Sequence, residues 1–245
     1  IKPGTTMVGS GAFDNCVALS KVELPNSITV IDNGGFIRSG IEEITLPNNL
    51  ILIDSYAFAD CEKLTSITIP GSVEVIEKCA FEDCDELETV IMCEGLEKTG
   101  HAMFASCPSL KNVVFPESLR TIGIRAFSNC PSLTELNLRE GLNEIGVMAF
   151  EECNGLTDVT LPDSLTKLGG GAFNSCSNLE CLSIPSGVNM LEVVTAYLCS
   201  NLKKVVFEGK NATLVERVFN QCTKRPAHRR AFFVLSVGRN DFHRR

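Results

Sequence analysis

The chain has 245 residues, of which 44% are hydrophobic and 21% are charged, and its 30 acidic and 22 basic residues give a formal net charge of -8. This apolar content excludes an intrinsically disordered chain. The negative charge argues against a nucleic-acid-binding protein, because such proteins carry a basic surface. No apolar run reaches the roughly 18 residues of a membrane-spanning helix. Three counts stand out: 12 cysteines, 14 phenylalanines and no tryptophan.

An internal repeat of 23 residues explains most of these cysteines and phenylalanines. The phenylalanines recur at this interval, except for one interval of 22, at Phe13, Phe36, Phe58, Phe81, Phe104, Phe127, Phe150, Phe173 and, two repeats later, Phe219. A cysteine occupies one further position of the repeat, at Cys16, Cys61, Cys84, Cys107, Cys130, Cys153, Cys176, Cys199 and Cys222. A fixed period of this length is typical of a solenoid, in which each repeat stacks on its neighbours.

In chain order we predict a partial repeat over 1–18, nine full repeats from residue 19 to 222, and a tail over 223–245. Each repeat begins L-x-x-I-x-I, which alternates as a half-buried strand does, so that Ile67 and Ile69 face the core. A proline such as Pro70 then ends the strand because it has no N–H to donate. The second apolar pair covers the next side of the coil, and A-F-x-x-C forms a turn or one helical turn that packs inward.

The unit L-x-x-I-x-I-P followed by A-F-x-x-C resembles the leucine-rich repeats of the BspA-like class, found in many bacterial and protist surface proteins. The resemblance covers residues 1 to about 222. It implies a leucine-rich repeat solenoid, a right-handed curved coil with a parallel β-sheet on its inner face and short turns or single-turn helices on its outer face. It also implies a non-catalytic module for protein binding or adhesion, extracellular or at the cell surface. Cys93, Arg139 and Glu208 depart from the pattern by replacing the proline.

The regularly spaced cysteines predict buried thiols rather than disulfides. Equivalent positions in stacked strands lie about 4.8 Å apart with parallel Cα–Cβ bonds, whereas a disulfide needs Cβ atoms about 3.5–4.5 Å apart and converging bonds. A row of thiols also cannot surround a metal ion, so we expect no metal and no cofactor. Instead, each thiol can donate weakly to a carbonyl group. Cys79, near His101 on the next coil, and the outward-facing Cys181 leave a thiol-reactive protein as an alternative.

The outward strand positions form the predicted binding surface, because they vary along the chain while the inward positions do not. Ile91 and Val114 lie on adjacent coils and form a small exposed apolar spot, which can mark a partner site. The candidate ligand-binding residues are Thr89, Ile91, Asn112, Val114, Glu135 and Asn137. Two other readings stay open: the preference of β-strands for these residue types, and a structural spacer within a larger protein. We expect a monomer that binds a protein ligand.

The two ends differ from the repeats. The chain begins in the middle of a repeat, so we expect further repeats or a cap upstream. Residues 1–222 carry a net charge near -14, whereas the tail from Thr223 onward has seven basic residues and one acidic residue. The apolar segment 231–237 could pair with the last coil as a cap, as solenoid ends require. The alternatives are a basic tail that contacts the acidic body, a nucleic acid or an anionic membrane, and a tail that is disordered or has no native role.

Overall fold

The computed structural model describes residues 1–209, 213–214, 219, 222 and 232–235. Within these residues the chain winds into stacked coils joined by parallel strand pairs, and none of them is helical. Residues 223–231 and 236–245 of the basic tail lie outside the described part. Of the segment 231–237, which we predict as a cap, the structure therefore describes only residues 232–235. The prediction of a leucine-rich repeat solenoid with parallel strands is confirmed.

Most coils contribute a strand to each of two rows. The first row comprises β2 (Lys21–Val22), β4 (Glu43–Ile44), β6 (Ser66–Ile69), β8 (Thr89–Met92), β9 (Asn112–Val114), β12 (Asp158–Thr160), β14 (Cys181–Ile184) and β16 (Lys204–Phe207) from the L-x-x-I-x-I segments, and β18 (Phe232–Leu235) from the tail. The second row comprises β1 (Met7–Val8), β3 (Val30–Ile31), β5 (Leu52–Ile53), β7 (Val75–Ile76), β10 (Thr121–Ile122), β11 (Glu144–Ile145), β13 (Lys167–Leu168), β15 (Met190–Leu191) and β17 (Thr213–Leu214). The second apolar pair of the repeat therefore also forms a strand, in a row that we did not predict.

The first row is not one continuous sheet, which corrects the expectation of a single inner sheet. It consists of three blocks, β2-β4, β6-β8-β9 and β12-β14-β16-β18, in each of which neighbouring strands pair in parallel. The first break, between β4 and β6, follows the coil that lost one residue near Ser39. The second break lies at residues 134–139, which form no strand. In the last block the backbone of β18 pairs with β16, Lys204 opposite Phe232.

A continuous column of phenylalanine rings forms the core. The rings from Phe13 to Phe173 stack with centroids 5.0 to 5.6 Å apart and interplanar angles of 2° to 20°. Phe115 adds an edge-on contact with Phe127 at 5.7 Å. All members from Phe36 to Phe173 are fully buried. The predicted packing of each phenylalanine beside the next is confirmed, because a 23-residue period brings equivalent side chains into register.

The cysteine row follows the phenylalanines and makes the predicted bonds to carbonyl groups. From Cys61 to Cys199 each thiol donates to the carbonyl oxygen of a phenylalanine on a preceding coil, at Sγ–O distances of 3.1 to 3.3 Å. Cys153, for example, donates to Phe127 at 3.1 Å. Burial raises the pKa of Cys61 to about 11 and that of Cys176 to about 12, because a thiolate loses its hydration in the core. These thiols therefore remain protonated at neutral pH.

The A-F-x-x-C segment is a tight turn and not a helical one. In nearly every coil, the residues two before and two after the phenylalanine position have positive φ, as Cys79 (57°) and Asp83 (55°) do around Phe81. Left-handed residues cannot continue a right-handed helix, so the single-turn helix that we allowed for does not form. The turn is held by the next coil instead, where the N–H of Phe58 donates to the carbonyl oxygen of Ala80 at 2.8 Å.

Two coils that lack the proline have a carboxylate contact in its place. After Cys93, the side chain of Glu94 accepts bonds from the backbone N–H groups of Glu117 at 2.8 Å and Ser118 at 3.1 Å on the next coil. After Arg139, Glu140 repeats this contact with the next coil, at 3.1 Å to both backbone nitrogens. Hydrogen bonds to an ionised acceptor are roughly twice as strong as bonds between neutral groups. Each glutamate therefore holds its own coil firmly to the next one.

Candidate functional site

Six outward side chains of the middle block form a flat and uncharged surface, which we call the central strand face: Ser66, Thr68, Thr89, Ile91, Asn112 and Val114. Strands β6, β8 and β9 hold these residues in register, so that Thr89 lies opposite Asn112 and Ile91 opposite Val114. Alternation along each strand turns the intervening Ile67 and Val90 into the core. The outward side chains therefore form two columns. One is polar (Ser66, Thr89 and Asn112), and the other is partly apolar (Thr68, Ile91 and Val114).

Ile91 and Val114 form the apolar centre of this face, with 38% and 47% of their surface exposed. Beside them, the Asn112 side-chain amide donates to the Thr89 hydroxyl at 3.4 Å. Adjacent hydroxyl, amide and methyl groups suit a contact with backbone and side chains of another polypeptide. The face holds no titratable side chain, so proton-transfer chemistry has no donor or acceptor of shifted pKa there.

The structure brings together only four of the six predicted site residues. Thr89, Ile91, Asn112 and Val114 share adjacent paired strands. Glu135 and Asn137 are exposed, but they lie in residues 134–139, where the chain forms no strand. These two residues therefore border the central strand face and are not part of it.

Sequence reasoning missed a groove beside the central strand face. It has a volume of about 460 Å³, and its lining includes Glu43, Thr45, Asn48, Ser66, Thr68 and Cys93. The groove lies at the break between β4 and β6, and a cavity of this size is within the range of ligand pockets. Strands pair in register across the single 22-residue interval, Lys21 opposite Glu43 and Val30 opposite Leu52, so this interval does not account for the break.

The acidic residues in and beside the first strand row differ in whether they form ion pairs. Glu88 pairs with Lys111 at 2.9 Å and Glu180 with Lys203 at 2.6 Å. In contrast, Glu43, Glu135 and Asp158 form no ion pair among the residues that the structure describes, and all three are exposed. Negative charge therefore remains available on both sides of the central strand face.

The Cys79 thiol does not have the properties of a nucleophile. Its backbone N–H donates to the carbonyl oxygen of His101 at 2.8 Å, which confirms that the two residues are neighbours. Burial, followed by contact with the Glu82 carboxylate, raises the pKa of Cys79 to about 11. A catalytic thiol needs a lowered pKa, so the structure does not support the alternative in which Cys79 acts with His101 as a nucleophile. Cys181 is only partly buried.

No group of three or more histidine, cysteine, aspartate or glutamate side chains is arranged to hold a metal ion in the part of the chain that the structure describes. Within the same residues, no helix is long and apolar enough to cross a membrane.

Comparison with known proteins gives the family. The model of the BspA type leucine-rich repeat region, with six copies, matches residues 6–132 and 97–225. The chain belongs to this family. No curated protein matches the sequence significantly.

Solved leucine-rich repeat proteins share the fold. A leucine-rich repeat protein from Bacteroides ovatus is 32% identical with a TM-score of 0.75, covering 85% of this chain and 54% of its own. The T. pallidum leucine-rich repeat protein is 26% identical with a TM-score of 0.59, covering 71% of this chain and 82% of its own. A leucine-rich cell surface protein from Faecalibacterium prausnitzii is 23% identical with a TM-score of 0.51, covering 86% and 59%. The chain thus spans about half the length of the Bacteroides ovatus protein.

Proposed function

We propose that the chain is a non-catalytic protein-binding module, acts as a monomer at the cell surface or outside the cell, and contacts its partner through the central strand face. The observation that carries this proposal is the pair Ile91 and Val114, exposed in register on adjacent strands within an otherwise polar and uncharged surface. An exposed apolar spot with a polar rim is typical of a binding surface. The surface location is supported by family membership and by a relative of the same fold that is described as a cell surface protein.

Selection of a random peptide library displayed on phage tests the proposal. Clones that bind the wild-type protein are measured against the double variant Ile91→Gln and Val114→Gln. The matched control is Ile51→Gln with Val75→Gln, which removes two side chains of similar exposure, 44% and 42%, one just before β5 and one in β7 of the second strand row. We expect most clones to lose binding to the first variant only. The result would favour a structural spacer if no clone were enriched or if both variants kept their binding.

A further inference from the structure

We propose that the partner presents an extended segment with a basic side chain at each end and apolar side chains between them. This inference rests on the proposed function, because it names the chemistry of the partner at the same face. It follows from the order of charges along the first row, from their pairing and from the spacing of the coils.

The first outward column places acids on both sides of an uncharged centre. In coil order it reads Glu43, Ser66, Thr89, Asn112, Glu135 and Asp158. Three successive coils carry no charge in this column, and the coil before and the two coils after them carry a carboxylate. A partner that matches this order is basic, then uncharged, then basic, since complementary charges give specificity across an interface.

These carboxylates are available to a partner, as their surroundings show. Lys21 lies in register beside Glu43, yet the two form no ion pair, and neither Glu135 nor Asp158 has an ion-pair partner in the described part of the chain. Among the acids one position earlier in the repeat, Glu88 and Glu180 form ion pairs with Lys111 and Lys203. The three carboxylates of the outward column have no such neutralising partner in the described part of the chain.

The spacing of the acids fixes the length of the matching segment. Four coil steps separate Glu43 from Glu135, and the stacked phenylalanine rings of these coils lie 5.0 to 5.5 Å apart, which gives about 21 Å. An extended chain advances about 3.3 Å per residue, so about six residues cover this distance. Because side chains alternate in an extended chain, residues at even separations point to the same side. Two basic residues six apart, with two apolar residues between them on the same side, therefore match Glu43, the apolar centre and Glu135.

The groove at the break between β4 and β6 adds a place for one of the basic side chains. Its lining combines the Glu43 carboxylate with the Thr45 and Ser66 hydroxyls and the Asn48 amide. These groups supply hydrogen-bond acceptors for an ammonium or guanidinium group, which has donors only. The volume of about 460 Å³ accommodates a lysine or arginine side chain.

Three synthetic peptides and two pairs of variants test this inference by fluorescence anisotropy. The probe is Gly-Lys-Ser-Val-Ser-Val-Ser-Lys-Gly, the second peptide has glutamate in place of both lysines, and the third has serine in place of both valines. Glu43→Gln with Glu135→Gln removes the two carboxylates. Glu74→Gln with Glu97→Gln is the control, because it changes the net charge equally at exposed positions beside the second strand row.

We expect the probe to bind about tenfold more tightly than either other peptide, and Glu43→Gln with Glu135→Gln to weaken it about tenfold, since two exposed charge pairs together give an effect of this order. The control variant should leave binding unchanged. If Ile91→Gln with Val114→Gln weakens binding and the loss of Glu43 and Glu135 does not, the proposed function stands and this inference is overturned. If neither pair matters, both are overturned. A neutral glycan that binds the face independently of these carboxylates would also overturn it.

Discussion

The buried cysteine row predicts that the protein unfolds sharply in mild alkali. Burial raises the pKa of thiols along this row above the ordinary value of 9.0, and five of them are Cys61, Cys130, Cys153, Cys176 and Cys199. Below pH 9 both states hold these protons and the stability is intact. Above pH 9 the unfolded chain releases protons that the folded chain keeps, so the free energy of unfolding falls by about 1.4 kcal/mol per pH unit for each thiol.

Five such thiols lower the free energy of unfolding by about 7 kcal/mol per pH unit once the unfolded chain is fully ionised. Domains are commonly stable by about 5–15 kcal/mol, so we expect unfolding within about two pH units above 9. Far-UV circular dichroism and thiolate absorbance, recorded together against pH, measure this. The dichroism and the thiolate signal of the buried row should change in one cooperative step. A thiolate signal larger than the partly buried Cys16, Cys79, Cys93 and Cys181 can supply, appearing while the dichroism stays native, would refute the reasoning.

Two variants distinguish the effect of the cysteine row on stability from the general effect of the charge that the protein gains at alkaline pH. Cys153→Ala removes one buried thiol and should reduce the dependence of stability on pH by about 1.4 kcal/mol per unit. Cys181→Ser removes a partly buried thiol outside the row and should leave this dependence unchanged. An equal effect of the two variants would contradict the assignment of the alkaline transition to the row.

Three further substitutions test the coil packing by chemical denaturation. Phe127→Ala leaves a cavity in the middle of the ring column and should cost about 3–5 kcal/mol, and a cost below about 1 kcal/mol would contradict the stacked core. Gly40→Ala places a methyl group on the carbonyl oxygen of Val17 and should cost about 1–3 kcal/mol, so a neutral result would argue against this close approach. Val194→Asn relieves a β-branched residue at φ 54° and should raise stability by about 1 kcal/mol, because asparagine tolerates this conformation; a loss of stability would contradict the turn geometry.

The sequence predicts the structural features that depend only on the 23-residue repeat. A fixed interval of 23 residues brings equivalent side chains into register, so the ring stack around Phe127 and the bond from the Cys153 thiol to a carbonyl group follow directly. The same register places Ile91 beside Val114. Each of these features needs only the repeat and the alternation of a strand.

Features that depend on contacts between coils could not be predicted from one repeat. Tyr56 and Val194 adopt left-handed φ values that their own preferences disfavour, because hydrogen bonds with a neighbouring coil hold the turn. The break after β4 and the groove beside it involve residues of successive coils, which one repeat does not show. Glu135 and Asn137 have the sequence of a strand, yet they form none, and nothing in the structure explains this difference.

Hydrogen–deuterium exchange tests the central claim most directly. A library-selected peptide is added to the wild-type protein, and exchange is compared with that of the free protein. The account predicts that the bound peptide slows exchange within residues 66–69, 89–92 and 112–114 and leaves residues 52–53 and 75–76 of the second row unchanged. Slower exchange confined to the second row, with no change on the central strand face, would contradict it.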